Sequence, residues 1–513
     1  ALEISGITAA DRVYDGTTAV VVDVTTANLA GTLEDGGMIA GDAVEVAATG
    51  TFINKDVVRD ADGTPIAKIV NLLETFSGAD VNNYTITAQA VASATITPAT
   101  LTAQAIRQYD GTAVVDGSII NVDGVNGETF SATGLITMAN KHVTSGAITP
   151  DSVANLNLTG DNGALTANYN PLSTNDTDVT IDKRVVTITA PVITKTYNAS
   201  AKHLPTSAEL VSMSGQLVGA DFVQDAEINF TGGASVVRDT DRSVPNTRTV
   251  TLDGVTIIDG NGGNNYDITL QGNSQSVIVP KALTVRPVDD AKLLNTPDVD
   301  GFAGLIFNGF VGAEDVEVFG VNGENLPVIS RQAGEVAEQF YTLTASGGEA
   351  NNYDLQYETG EFEILARDSL LLRVNIGADA ITYGDTPTFA NNLTVQYWGE
   401  GQTQPTTLTA TESNGRYTIA PGATGDFTPD DTAQFVISVL DGVSSGADKL
   451  AVGGYNIGVA QDDLTLSGEA FNGLRLVGAL TVDPKELGAA DLGITGLTKT
   501  YDGSALINNL SLD

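Results

Sequence analysis

The sequence predicts an all-β protein, a tandem array of about five small β-sandwich or β-grasp-like domains forming an extended rod. Three observations carry that expectation. A tyrosine-centred phrase recurs along the chain. Apolar and polar residues alternate with period two between recurrences. Helical periodicity is nearly absent.

The recurring phrase has an opening and a closing. Openings stand at Tyr14-Asp15-Gly16, Tyr109-Asp110-Gly111, Tyr197-Asn198-Ala199, Tyr383-Gly384-Asp385 and Tyr501-Asp502-Gly503. Closings are Asn-Asn-Tyr or a near variant, ending on Tyr84, Tyr169, Tyr266, Tyr353 and Tyr455. The closing tyrosines lie 85, 97, 87 and 102 residues apart. Solenoid rungs are shorter and need their neighbours to bury a face, whereas a unit of about 90 residues can close its own core. The expected divisions are therefore 1–98, 99–182, 183–280, 281–366 and 367–483, with 484–513 as the start of a sixth unit. These are repeats 1 to 6 below. Repeat 4 has Leu294 in the opening-tyrosine position, and repeat 5 is the longest and most divergent. Thirty residues are too few for a domain of this size. The sixth unit therefore reads as part of a longer polypeptide, or as a stub completed by another chain.

Alternation marks the strands, as in Tyr84-Thr-Ile-Thr-Ala88, Val185-Val-Thr-Ile-Thr189 and Asn246-Thr-Arg-Thr-Val-Thr-Leu252. At each boundary an alternating run meets the next across a few residues, often with proline, as at Thr97-Pro98 and Val279-Pro280. Such junctions leave little slack. Five beads of roughly 30 Å would span on the order of 150 Å. The best helical candidate is the short run from Ser207 to Met213. The Asp-Gly pairs supply positive φ for tight turns, and the aspartate can accept turn amides. The opening tyrosine is expected to bury its ring face and leave its hydroxyl in water. The closing asparagines cap a loop before a strand.

Composition narrows the function classes. The chain has no cysteine, which removes disulfides and thiolate metal sites. Its net charge is −40, with 24 basic and 64 acidic residues, so it repels nucleic acid and anionic lipid. It contains no 18-residue apolar run, so no membrane-spanning helix is expected. The first residues lack a basic-then-apolar leader, and an exported protein of this kind would carry its signal upstream. The only two histidines, His142 and His203, fall in different repeats beside lysines and read as surface residues. No catalytic constellation forms from them, and no enzyme or resident cofactor is expected.

Two weaker binding readings remain. Calcium takes six to eight oxygens, and acidic loops around Asp60, Asp62, Asp259, Asp267 and the 426–431 stretch offer carboxylates. None has EF-hand spacing, and solvated polar turns explain them as well. Trp398, the only tryptophan, stands beside Tyr397 in a strand-like run and could serve as an aromatic platform for sugars; core packing is the plainer reading.

With these residues quoted, the chain resembles the tandem YDG/MBG-type repeats of large secreted bacterial adhesins of the filamentous-haemagglutinin kind. Lys499-Thr-Tyr-Asp-Gly-Ser504, Gly78-Ala-Asp-Val-Asn-Asn-Tyr84 and Leu217-Val-Gly-Ala-Asp221 resemble the first type. Gly309-Phe-Val-Gly-Ala-Glu-Asp315 and Ala350-Asn-Asn-Tyr353 resemble the second. The resemblance implies an extracellular or cell-surface stalk within an adhesin or biofilm-matrix fibre, its partners being other repeats of the same chain. The alternatives are a module in repeat 5 binding surface glycans, matrix polymers or protein, and a filament subunit joined to its own kind by strand exchange.

Overall fold

Alternation decides which face of each strand is buried. In Thr177–Asp182 the side chains of Thr177, Val179 and Ile181 point inward, while Asp178 and Asp182 face water. In Arg184–Thr189, Val186 and Ile188 are buried and Thr187 and Thr189 exposed. A computed structural model describes residues 1–31, 37–374, 380–389 and 393–487. Among them the chain is a series of small β-sheets with a single α-helix, Ser207–Ser214. That helix starts where the sequence places it. Thr206 and Glu209 form a reciprocal capping box that satisfies two amides of the first turn.

Each of repeats 1 to 5 uses the same closure. Its first strands run parallel to its last strands, and antiparallel pairs fill the remainder. In repeat 1, Leu2–Ser5 pairs with Ile86–Thr87 and Arg12–Val13 with Ile96–Thr97. In repeat 2, Thr102–Gln108 pairs with Thr177–Asp182. In repeat 3, Arg184–Thr189 pairs with Tyr266–Gln271 and Thr194–Thr196 with Asn273–Val279. In repeat 4, Lys281–Pro287 pairs with Tyr353–Tyr357 and Asp290–Leu293 with Thr359–Leu365. In repeat 5, Ser369–Val374 pairs with Gly473–Val477 and Ile381–Thr382 with Ala479–Asp483. Parallel neighbours cannot be joined by a tight turn, so the body of each repeat is the crossover between them. A parallel first and last strand also means that the chain enters a repeat at one end and leaves at the other.

By contacts the chain divides into two units. The first comprises Ala1–Pro191, Leu204–Ile228 and Leu252–Gly272; the second comprises Val192–His203, Asn229–Thr251 and Asn273–Asp513. In the first unit, the long hairpin Glu45–Phe52 with Lys68–Ser77 anchors repeat 1. A five-stranded sheet ordered Asn157–Gly160, Thr129–Thr133, Asn121–Asp123, Thr102–Gln108, Thr177–Asp182 anchors repeat 2. In the second unit, repeat 4 holds a sheet ordered Asp290–Leu293, Thr359–Leu365, Gln339–Ser346, Val328–Arg331. Repeat 5 closes a core of its own on Leu370, Leu372, Val395, Tyr417, Phe435 and Ile457, among others. The polar stretch after Gly399 contains a hairpin, Ala410–Ser413 with Arg416–Ile419. Its turn residues Asn414 and Gly415 both have positive φ, the conformation that matches strand twist.

Candidate functional site

The opening phrase is a fixed turn. The backbone N–H of its tyrosine position donates to the last strand of the same repeat: Tyr14 to Thr97, Tyr109 to Asp182, Tyr197 to Val279, Leu294 to Leu365 and Tyr383 to Asp483. Leu294 thus occupies the tyrosine position in repeat 4, as the sequence suggests. Asp15 Oδ1 then accepts the N–H of Thr17 at 2.9 Å and its hydroxyl at 2.8 Å. Asp110 does the same for Thr112. Gly16 and Gly111 sit at φ of +79° and +84°. A side chain at Gly16 would also strike Asn126, 2.7 Å from where its Cβ would stand. Tyr501, Asp502 and Gly503 lie outside the described residues.

From these turns the tyrosine side chains cross into the following repeat. Tyr14 of repeat 1 donates to Glu128 Oε1 of repeat 2 at 2.7 Å, and the closing Tyr169 donates to Glu128 Oε2 at 2.8 Å. The two rings meet edge to face, 5.4 Å apart at 77°. Tyr109 and Tyr266 donate to Asp221 at 2.8 and 2.7 Å, their rings 5.4 Å apart at 78°. Tyr197 donates to Glu314 at 2.5 Å, Tyr353 donates to the same carboxylate, and their rings lie 5.7 Å apart at 75°. The closing hydroxyl in turn accepts a backbone N–H: Val125 to Tyr169 at 3.0 Å, Val218 to Tyr266 at 3.1 Å and Val311 to Tyr353 at 2.9 Å. One arrangement thus appears three times: a tyrosine from one repeat, a tyrosine and a carboxylate from the next.

The expectation of a wet hydroxyl is corrected here. Tyr14 and Tyr109 are 1% and 0% exposed. A buried hydroxyl without a partner is costly, and the carboxylate of the following repeat supplies one. Burial raises the Tyr14 and Tyr109 hydroxyls above the usual 10.0. It also pushes Tyr197 up to about 12 and Tyr169, Tyr266 and Tyr353 well above 10.0, with the neighbouring carboxylate adding to the shift. Burial acts upward on Glu128 too, but hydrogen bonds from Lys55, Tyr14 and Tyr169 outweigh it and hold the carboxyl below the usual range. Lys55 pairs with Glu128, and Lys141 with Asp221 at 3.1 Å. Each ammonium also lies over the opening ring, 5.9 and 5.6 Å from the centroids of Tyr14 and Tyr109.

The residue before each of these closing tyrosines reaches back. Asn168, Asn265 and Asn352 accept the backbone N–H of Val57, Val143 and Val236, each in the preceding repeat, at 2.8, 3.1 and 2.9 Å. Asn265 also contacts His142 Nδ1 at 3.1 Å, so His142 is half-buried and in use rather than plain surface. His203 is half-buried as well. The tyrosine triad and the asparagine bridge together form a clasp.

Repeats 4 and 5 meet differently. Leu294 has no hydroxyl and packs within repeat 4. Ala291, Leu293, Leu365, Leu371, Trp398 and Val477 form an apolar cluster at the junction. Arg373 beside it pairs with the fully buried Asp290 at 2.7 Å. Trp398 is 9% exposed, donates from Nε1 to Gln402 and has the Arg367 guanidinium 4.7 Å over its ring. Tyr397 is buried, and its hydroxyl donates to Asp368 at 3.1 Å. A sugar platform needs an open aromatic face; these two rings are packed. The Tyr383 hydroxyl meets Ser445 Oγ at 2.8 Å, and Tyr455 donates to Ala451.

The acidic loops are engaged by their own backbone. Asp60 Oδ1 accepts the N–H groups of Asp62 and Thr64. Asp259 accepts those of Asn261, Gly263 and Asn265, while Asp267 points to water. Asp431 accepts from Thr428, Glu469 and Ala470, and the Thr428 amide above all draws its pKa down to about 2. Among the described residues, no three His, Cys, Asp or Glu side chains are grouped to hold a metal ion.

Sequence reasoning singled out the tyrosines but not Glu128, Asp221 and Glu314. A signal existed. Val125-Asn-Gly-Glu128, Val218-Gly-Ala-Asp221 and Val311-Gly-Ala-Glu314 recur at a constant interval, and each supplies both the amide and the carboxylate of its clasp.

No curated protein matches the chain. Among solved structures it is similar to the N-terminal eight immunoglobulin domains of Down syndrome cell adhesion molecule isoform 1.30.30. That match has 9% identity and a TM-score of 0.15, and covers 94% of this chain and 61% of that one. It is also similar to protocadherin gamma B2 extracellular cadherin domains 1–5, with 8% identity, a TM-score of 0.12, and coverage of 94% and 93%. The mouse nectin-like molecule 4 ectodomain gives 12%, 0.09, and coverage of 60% and 99%. Likeness at these scores carries no argument about function. Residues 1–92 match the family model of the YDG domain.

Proposed function

We propose that this chain is a non-catalytic structural spacer, the stalk of an exported bacterial surface adhesin or matrix fibre. The observation that carries the reading is the clasp, made three times from the same residue types. A catalytic site has no reason to recur at three successive junctions, whereas a joint between domains does. The parallel first and last strands support the same reading, because they pass the chain from one end of a repeat to the other. The YDG match at residues 1–92 agrees with the resemblance to adhesin repeats.

A small edge-to-face tyrosine pair contributes about 0.5–1.5 kcal/mol beyond its buried area, and a hydrogen bond to a charged group about 1.5–3 kcal/mol. Several of these at one joint suffice to suppress bending there. Small-angle X-ray scattering of the purified chain tests the spacer reading. The expected maximum dimension is on the order of 150 Å. A compact particle with a radius of gyration near that of a single globule of this length, about 24 Å, would overturn it.

A further inference from the structure

We propose that the open seam of repeat 4, between the edge strands Leu305–Asn308 and Val328–Arg331, is a docking site for an extended apolar segment of another polypeptide that carries lysine or arginine at its flanks. Repeat 2 shows the same seam closed. There the strand before the clasp phrase, Asn121–Asp123, bonds to the strand after it, Thr129–Thr133, with Val122 opposite Phe130 and Asp123 opposite Thr129. In repeat 4, Leu305–Asn308 holds the corresponding place, antiparallel to the first strand of its repeat as Asn121–Asp123 is to its own. The strand after the clasp phrase comes later, however. Thr129 follows Glu128 directly, whereas residues 315–327 stand between Glu314 and Val328 and include two tight turns, Val316–Phe319 and Val321–Gly323. The two strands end as edges of separate sheets.

The gap between them is a groove of about 710 Å³, a size that takes ligand side chains, lined by Leu305, Phe307, Val316, Leu326, Val328 and Ile329 among others. Val316 and Val328 are 42% and 70% exposed. One rim of the groove is bare backbone. Gln332 N–H donates to the Thr342 carbonyl at 2.8 Å. Bonding alternates along an antiparallel strand, so Ser330 also bonds toward Thr344, while Ile329 and Arg331 turn their N–H and C=O groups to the open side. A free edge beside apolar pockets is the arrangement that accepts an added strand: backbone bonds hold it and the pockets read alternate side chains. Four residues of edge span about 13 Å, enough for a short segment.

Charge selects the occupant. The groove lining contains Asp298 and Asp300 and no basic residue. Lys292 and Arg331 offset Asp298. Asp300 and Glu317, the latter on the first of the two turns, are exposed, and no ion pair engages either among the described residues. A chain of net charge −40 is repelled from that rim, whereas a segment with basic flanks is drawn to it.

The inference stands apart from the spacer reading, and its failure would leave the scattering result untouched. The probes are short peptides that alternate valine or leucine with threonine and end in lysines, glutamines or glutamates, titrated into the full chain. Lysine-flanked peptides should bind with a Kd on the order of 10–100 μM. Glutamine flanks should weaken binding at least about tenfold, and glutamate flanks should abolish it. Hydrogen exchange should slow at residues 329–331 when the peptide is bound. Val328→Lys, at a side chain already in water, and separately Val316→Lys, should each weaken binding at least about tenfold with the dichroism spectrum unchanged. No binding of any lysine-flanked peptide at about 1 mM, affinity indifferent to flank charge, or binding that survives both substitutions overturns the proposal. Protection of residues 329–331 that rises with protein concentration alone would assign the seam to a second copy and overturn it equally.

Discussion

At the residue scale, one carboxylate serving two tyrosines is the feature on which each clasp turns. Glu128 accepts from Tyr14, Tyr169 and Lys55 together. Replacing it by alanine leaves two buried hydroxyls and an ammonium without their acceptor. Glu128→Ala should therefore destabilise the transition of the first unit by about 3 kcal/mol, read by chemical denaturation. Tyr169→Phe removes only one donor and should cost about 1 kcal/mol. Equal costs would mean that the carboxylate is not the hub. A smaller gain is available at Ala199, which holds φ at +59° where the other Tyr-Asp-Gly turns have glycine. Ala199→Gly should raise stability by up to about 1 kcal/mol, the relief of a left-handed Cβ less the added freedom of the unfolded chain. The tyrosines were legible because they recur; the destination of their hydroxyls was not. Tyr14 and Glu128 are 114 residues apart, and pattern inside one repeat says nothing of a contact into the next.

At the element scale, strand identity was readable and strand order was not. Period-two runs such as Thr177–Asp182 announce a half-buried strand, and the short run from Ser207 to Met213 falls in a genuine helix. Yet Leu2–Ser5 pairs with Ile86–Thr87 across the whole of repeat 1, and no local signal marks a parallel partner so distant. The same blindness hid the junction between repeats 4 and 5. Trp398 stands in a strand-like run, and only the fold shows that it packs against Ala291, Leu293 and Leu371. Because it is the only tryptophan, its fluorescence reports on that junction alone. Leu371→Ala should open a cavity beside it, cost about 2–4 kcal/mol, and advance the fluorescence transition ahead of the far-ultraviolet dichroism of the chain. Coincident transitions, both unshifted, would show that the cluster does not hold the junction.

At the scale of the whole molecule, the clasps set a pH window. The six clasp tyrosines have folded pKa values above the ordinary 10.0. Such a group contributes stability that is complete below its unfolded pKa and is lost as pH rises through the folded one. Glu128 is the opposite case, held below its ordinary 4.5, so its contribution is present above that value and is lost as pH falls through the depressed one. The melting temperature should therefore be flat from about pH 5 to 9, then fall on both sides. The net charge of −40 would itself weaken the chain at high pH as lysines lose their protons. Salt distinguishes the two causes, because about 0.5 M salt screens charges beyond a few ångströms but leaves a buried hydroxyl–carboxylate pair nearly untouched. The alkaline fall should persist in salt and move to higher pH when Tyr169, Tyr266 and Tyr353 are all replaced by phenylalanine, since three of the ionising groups are then gone. An alkaline limb that salt abolishes, or that ignores those three substitutions, would place the sensitivity in overall repulsion and remove the clasps as the joints that hold the repeats together.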